Sequence, residues 1–397
     1  MLSDAPFAEI LALKRLQRSA MMTATSGASP REEEPFSLRA LRDRLGSRDD
    51  ITADLHASGN NQNLAAWNDF IGLNKSTSEY ADFIVSHPLP ARYRLQLWRR
   101  VVFSSPPTNC PELEEALAYC RQGKDMCQLT EAFRILDMDI HRTPWLVGDA
   151  ETQTLRCVLT AFAMRNPGIG YCQGMNLITA LPLIVGFNAT ELLDFLETTV
   201  CPGRNGLLQC CSGFQDLTAF RQSVSESEDL ISRKFPKLLQ TLEHSDVDLT
   251  LLAFDPFLTL FASRMPLNAV LRLWDFCIFY HFGYGRIENP GISFTVVACL
   301  IAVLNQLLCP MADQLNDGLL IAAFHRKIER IPDADVDEVL ISASQLLDEV
   351  NQGLQELRKA AFKSESEERV SEVESVFTQL SSEIRHEYNR ITLSSRL

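Results

Sequence analysis

Apolar residues recur along this chain three and four positions apart, while period-two alternation is scarce, so the pattern predicts helices almost throughout. Leu129, Phe133, Leu136 and Ile140 form one helical stripe facing a core. Pro144 ends that helix, because it pushes Thr143 out of the helical region, and Arg142 is left in the last turn, where a cation suits the helix dipole. Asp149 with Thr152 marks the next start, and Leu155, Val158, Leu159 and Phe162 carry its core stripe to a stop at Asn166-Pro167-Gly168. Gln173 then falls in or beside a loop between Gly170 and Gly174, where glycine permits unusual backbone angles and the close approach of another molecule. Further helices are predicted at Ala189 to Thr199, Asp216 to Leu242 with a break at Pro236, Leu249 to Ser263, Pro266 to Phe279, Ile292 to Leu308, Leu319 to Ile331 and Ala334 to Phe362. The fold class this predicts is all-α.

Composition shifts divide the chain. Residues 1–34 read as an amphipathic helix followed by a Ser/Thr-rich, charged linker, and 35–86 as a helical lead-in. His87-Pro88-Leu89-Pro90 is stiff punctuation that opens a main domain over 87–312, followed by a helical extension over 313–364. In the tail, 365–397, Val370, Val373, Phe377, Leu380, Ile384 and Ile391 lie close to heptad positions. That spacing suits either a short coiled coil for self-association or a helix packing back on its own domain.

With 397 residues and 46% hydrophobic content, the chain is long enough to bury a large core. A net charge of −14 argues against nucleic acid, which calls for a basic stripe to displace counterions from phosphates. The 11 cysteines include no C-x-x-C pair and read as reduced, mostly buried thiols of a cytosolic protein. Asp4, Glu9 and Lys14 interrupt the first apolar stretch, so no secretory signal is expected. The most apolar runs, Leu177 to Phe187 and Ile292 to Leu308, are interrupted by Pro182 or carry Asn305-Gln306, and they read as core helices, not as a transmembrane segment.

Taken singly, the chemistry-bearing residues have bland readings. Asp139 and Arg142 read as a solvated i, i+3 ion pair, and Gln173 as a turn residue. His141 reads as an exposed helix-end residue, and Cys172 as small core packing with no base near it. The 7 histidines form no ligand pair at helical spacing, and no Gly-x-x-x-x-Gly-Lys-Ser/Thr loop is present.

The segments change that picture together. Pro90-x-x-x-Arg94-x-x-x-Trp98, Leu136-x-x-Asp139-x-x-Arg142-Thr143, Asn166-Pro167-x-x-Gly170-Tyr171-Cys172-Gln173-Gly174-Met175-Asn176, Phe261-x-x-x-x-Pro266 and Leu271-Arg272-Leu273-Trp274-Asp275 occur in the order expected of a TBC domain. The chain resembles the TBC family of Rab GTPase-activating proteins over roughly Leu89 to Cys309. That resemblance implies a two-lobed all-α domain acting on a GTP-loaded Rab through two residues supplied in trans. Carried onto this chain, Arg142 is the arginine finger, neutralising charge at the phosphates, and Gln173 the glutamine finger, positioning water. Asp139 and Tyr171 would hold these segments, with Asn176 in a structural role, while Arg94, Trp98, Arg272, Trp274 and Asp275 would be scaffold. GTP and Mg2+ would arrive bound to the partner GTPase, with no intrinsic cofactor or metal. The implied setting is cytoplasmic, with transient peripheral recruitment to endomembranes. A silent scaffold of the same fold, binding a GTPase without accelerating hydrolysis, is the alternative. The chain departs from the family pattern at Leu95, where glycine is common, at Phe254-Asp255-Pro256-Phe257, and across Thr198 to Ser212 with Cys201, Cys210 and Cys211.

Overall fold

The structure, a computed structural model, describes residues 61–71, 73, 75–103, 111–121, 131–146, 148–201, 204, 206–208, 218–284, 292–311 and 319–363. The N-terminal helix and linker (1–34), the lead-in before Asn61 and the heptad-like tail (365–397) lie outside these residues. In chain order the helices are α1 (Asn61–Ile71), α2 (Thr77–Ser86), α3 (Ala91–Val102), α4 (Pro111–Arg121), α5 (Glu131–Arg142), α6 (Asp149–Arg165), α7 (Met175–Val185) and α8 (Ala189–Val200). They continue as α9 (Thr218–Lys234), α10 (Pro236–His244), α11 (Leu249–Thr259), α12 (Leu267–Gly283), α13 (Phe294–Leu308), α14 (Leu319–Ile328) and α15 (Asp333–Lys363). Among the described residues the only β pairing is one isolated bridge, Leu208 with Ile292, so the all-α expectation holds.

The described residues up to Ser344 form one compact unit, while the part of α15 from Gln345 onward belongs to a second. Two helices organise the first unit. Helix α6, buried from Cys157 through Phe162, lies against α4, α5, α7 and α8. Helix α13, buried from Thr295 through Leu304, lies against α9, α10, α11, α12 and α14. A helix buried all round is the pattern for a core element, and these two hubs gather the other helices around them. The groups meet where α7 packs on α11 and where α3 packs on α12.

Local chemistry sets the helix starts. Ser76 and Glu79 close a capping box on α2, and Asn188 and Glu191 close another on α8, each satisfying two otherwise orphaned N–H groups. Helix α2 packs along α12, although His87-Pro88-Leu89-Pro90 separates it from the main domain in sequence. Arg272 of α12 fixes that packing by donating to the carbonyls of Ile84 and Val85, which end α2 and have no partner within it, and to Asp337 Oδ1 at 2.9 Å. Leu95, where the family pattern has glycine, faces Gly186: a side chain at that glycine would meet Leu95 Cδ2 at 3.2 Å.

Pro182 lies inside α7, and the apolar run it interrupts is a core helix as expected, reaching Val185. One expectation needs correcting. The helix expected to Ser263 stops at Thr259 because Leu260 (φ 48°) and Phe261 (φ 66°) both turn left-handed. Both residues are buried, so core packing outweighs the backbone cost of the turn.

Candidate functional site

Helix α5 carries Asp139 and Arg142 in its last two turns, and they face opposite environments. Asp139 is buried, whereas Arg142 and His141 are exposed at the helix end. No ion pair joins Asp139 to Arg142 among the described residues, so the i, i+3 surface pair is not what forms. Asp139 instead accepts hydrogen bonds from Tyr171 Oη at 2.9 Å and from Gln173 Nε2 at 3.4 Å. The helix ends as Pro144 requires: Thr143 N donates to Ile140 O, Thr143 Oγ1 donates to Asp139 O at 2.8 Å, and Trp145 turns the chain at φ 71°.

The second segment runs from Asn166, which caps α6, to Gly174, which precedes α7. Asn176, in the first turn of α7, fastens it to α5. Its Nδ2 donates to Thr143 Oγ1 at 2.9 Å and to Asp139 O at 3.4 Å. Its Oδ1 accepts from Gly174 N at 3.2 Å and from Tyr171 Oη at 3.4 Å. Burial pushes the Tyr171 hydroxyl well above the usual phenol range, and the adjacent Asp139 charge and the bond to it add to the shift. Tyr171 therefore stays protonated and remains a donor at any physiological pH. A buried network with its polar groups joined in this way rigidifies what it holds. Thr143 is the joint that the sequence reading left without a role; its position directly after Arg142 was the available signal.

Gly174 seats the second segment against α11. At φ 110° it adopts a conformation that L side chains rarely reach, and an added Cβ would lie 3.1 Å from Leu258 O and 3.2 Å from Thr259 Cγ2. Gly170, at φ 65°, has open space where a Cβ would go. Gly174→Ala is therefore expected to cost about 1–3 kcal/mol, and to displace Gln173, whereas Gly170→Ala pays only the left-handed penalty of about 1–2 kcal/mol. Urea denaturation of the two variants side by side checks the order; equal losses would show that contact with α11 does not matter.

The remaining predicted residues gather elsewhere, in three buried groups. Arg94 on α3 donates Nε to Asp275 Oδ1 at 2.9 Å and Nη2 to Asp275 Oδ2 at 2.9 Å and Leu89 O at 2.8 Å. Trp98 Nε1 donates to Asp275 Oδ1 at 2.8 Å. Burial raises the Asp275 carboxyl above its ordinary value, and Arg94, Trp98 and Arg272 pull it back. Burial likewise lowers Arg272, which Asp337 and Asp275 counter. Trp274 Nε1 donates to Leu260 O at 2.7 Å, holding the left-handed turn that follows the Gly174 seat. None of these five residues bonds to Arg142 or Gln173 among the described residues; they hold α2, α3, α11 and α12 together.

No group of three or more His, Cys, Asp or Glu that could hold a metal occurs among the described residues, and no described helix is long and apolar enough to cross a membrane. The arrangement thus offers an exposed guanidinium and a half-exposed carboxamide on two segments tied together by Asp139, Thr143, Tyr171 and Asn176.

Comparison with known proteins gives this geometry a context. A family model for the Rab-GTPase-TBC domain matches residues 91–308. TBC1 domain family member 2A of Homo sapiens is 38% identical over 124 residues, which are 30% of this chain and 13% of that protein. A putative GTPase-activating protein of Emericella nidulans is 26% identical over 249 residues, 62% of this chain and 20% of that protein. The chain therefore spans a minor part of these relatives' length. The crystal structure of the Chlamydomonas flagellar RabGAP TBC domain superposes with a TM-score of 0.54 at 19% identity, covering 80% of this chain and 99% of that one, a likeness of fold alone.

Proposed function

The chain belongs to the Rab-GTPase-TBC domain family, and from that membership we propose that it accelerates GTP hydrolysis by a Rab-family small GTPase, lending Arg142 and Gln173 in trans. The observation that carries the reading is the network around Asp139: it fastens the end of α5 to the segment before α7 while leaving Arg142 exposed and unpaired among the described residues. A structural ion pair would have consumed that arginine.

Phosphoryl transfer passes through a loose transition state with charge on the equatorial oxygens, so catalysis is positioning and charge stabilisation. Arg142 supplies the charge, and its planar fork suits two phosphate oxygens at once. Gln173 supplies the positioning. With one amide hydrogen given to Asp139, the plane of its carboxamide is set and its oxygen is left to accept from the attacking water. GTP and Mg2+ come with the partner, and no covalent intermediate forms on this chain. The activity is assigned to residues 87–312, with 313–364 as a helical extension. Recruitment to endomembranes and self-association through 365–397 belong to the same proposal.

Single-turnover GTP hydrolysis across a panel of purified Rab proteins tests it. At least one Rab is expected to be accelerated, and Gln173→Ala should lower that rate by roughly 10²-fold, the scale of one lost transition-state hydrogen bond. Tight binding to the GTP form with unchanged turnover in every case would overturn the reading in favour of a binding scaffold.

A further inference from the structure

The segment bearing Gln173 has two ends, and the Asp139 network secures only the later one. The earlier end begins at Asn166, whose partner is Glu197 on α8. Glu197 is 3% exposed, an acidic side chain within the buried stripe of α8, whose other carboxylates, Glu191 and Asp194, lie outside that stripe. Asn166 Nδ2 donates to Glu197 Oε1 at 3.0 Å and to Phe162 O at 3.2 Å. The Asn166 carbonyl in turn accepts from Ile169 N at 2.9 Å and Gly170 N at 2.8 Å, which closes the first turn of the segment. Arg165 Nε stands 3.2 Å from Glu197 Oε1, and Arg204 Nη2 stands 3.5 Å from Oε2. A buried carboxylate is costly unless it is paired and bonded, and this one is both.

We propose that Glu197 is a positioning residue for Gln173: through Asn166 it fixes the start of the segment, so that both ends are pinned and the carboxamide between them is held in place. Arg165 and Arg204 stand against the carboxylate from the other side and give it charged partners in its buried position. The role follows from geometry: a side chain needed at a transition state must be held close to its working position, and a small displacement from a change remote from the chemistry costs rate. The proposal rests on the dual-finger reading for its rate effect, though not for its effect on the segment itself.

The test uses the full chain as wild type, Glu197→Ala and Glu197→Gln, with Glu197→Leu as the variant to use should alanine leave the chain unfolded. Amide hydrogen exchange of residues 166–174 is read first. Glu197→Ala should raise exchange at Ile169 and Gly170 by roughly tenfold or more, the scale of a lost charge-assisted hydrogen bond, while exchange in the other described helices is unchanged. Glutamine keeps an acceptor for Asn166, so Glu197→Gln should restore protection. Single-turnover hydrolysis on the most strongly accelerated GTP-loaded Rab should then fall by up to about 10²-fold in Glu197→Ala at saturating activator, with little change in KM. In a Gln173→Ala background the same substitution should add no further loss. Unchanged exchange at 166–174, uniform loss of protection, or an equal rate loss in the Gln173→Ala background would each overturn the proposal. Failure to accelerate any Rab would defeat the dual-finger reading alone, and the exchange measurement would still decide the role of Glu197.

Discussion

Replacing Arg142 with alanine is expected to remove about 10³ to 10⁵ of the accelerated rate, roughly 4 to 7 kcal/mol of transition-state stabilisation, without weakening the fold. The two halves of this expectation come from different observations. The rate loss comes from the charge that develops on the transferred phosphoryl, for which an alanine and the surrounding water are poor substitutes. The unchanged stability comes from the exposed position of Arg142 at the end of α5, where no ion pair holds it among the described residues. Surface substitutions of that kind usually lie within about 0.5 kcal/mol. Arg142→Lys should recover only part of the rate, since it keeps the charge but loses the planar fork. Single-turnover hydrolysis and thermal unfolding of the same preparations check both halves. A variant that accelerates hydrolysis as well as wild type would end the arginine-finger reading.

The largest effect on stability is expected from Asp275→Ala. Its carboxylate accepts from Arg94 and Trp98 and is fully buried, so the substitution strands a guanidinium and an indole N–H in the core. Removing one partner of a buried ion pair costs about 3–5 kcal/mol, because the remaining charge has lost both its partner and its water. A lower urea midpoint should report this. Asp275→Asn should be milder, since it keeps an oxygen for Trp98. Below its unfolding transition, Asp275→Ala should still accelerate hydrolysis, because none of these groups bonds to Arg142 or Gln173. A variant as stable as wild type would mean that the α3–α12 joint is held by packing alone.

Much of this was legible in the sequence because it is local. The apolar stripe of α5 with Pro144 behind it places Arg142 at a helix end, and the structure has it there. The order of motifs from Arg94 to Asp275 carries the family. The inward turn of Asp139 was not legible from spacing, because Asp139-x-x-Arg142 is also the spacing of an ordinary surface ion pair; only the resemblance gave Asp139 a holding role, and the bonds from Tyr171 and Gln173 on another segment decide between the two readings. Glu197 was missed for a related reason: it belongs to no motif, and its signal is a single carboxylate four positions after Leu193 and three before Val200 on a buried stripe. Leu260 and Phe261 show the limit of periodicity. Their apolar spacing continues the helix, while tertiary packing and the Trp274 bond to Leu260 bend the backbone away.

The Arg94–Asp275 pair also bears on how the chain is made. Its two partners lie 181 residues apart. At a synthesis rate of about 5–20 residues per second, α3 leaves the ribosome about 10 to 40 s before the helix that neutralises its buried arginine exists. Helix α2 waits comparably long for Arg272. During that interval Trp67, Tyr80 and Trp98, all buried in the finished protein, have no completed core to enter. The surface of these residues therefore stays uncovered until α12 arrives, and chains truncated before α12 are expected to be cleared instead of accumulating as partial domains.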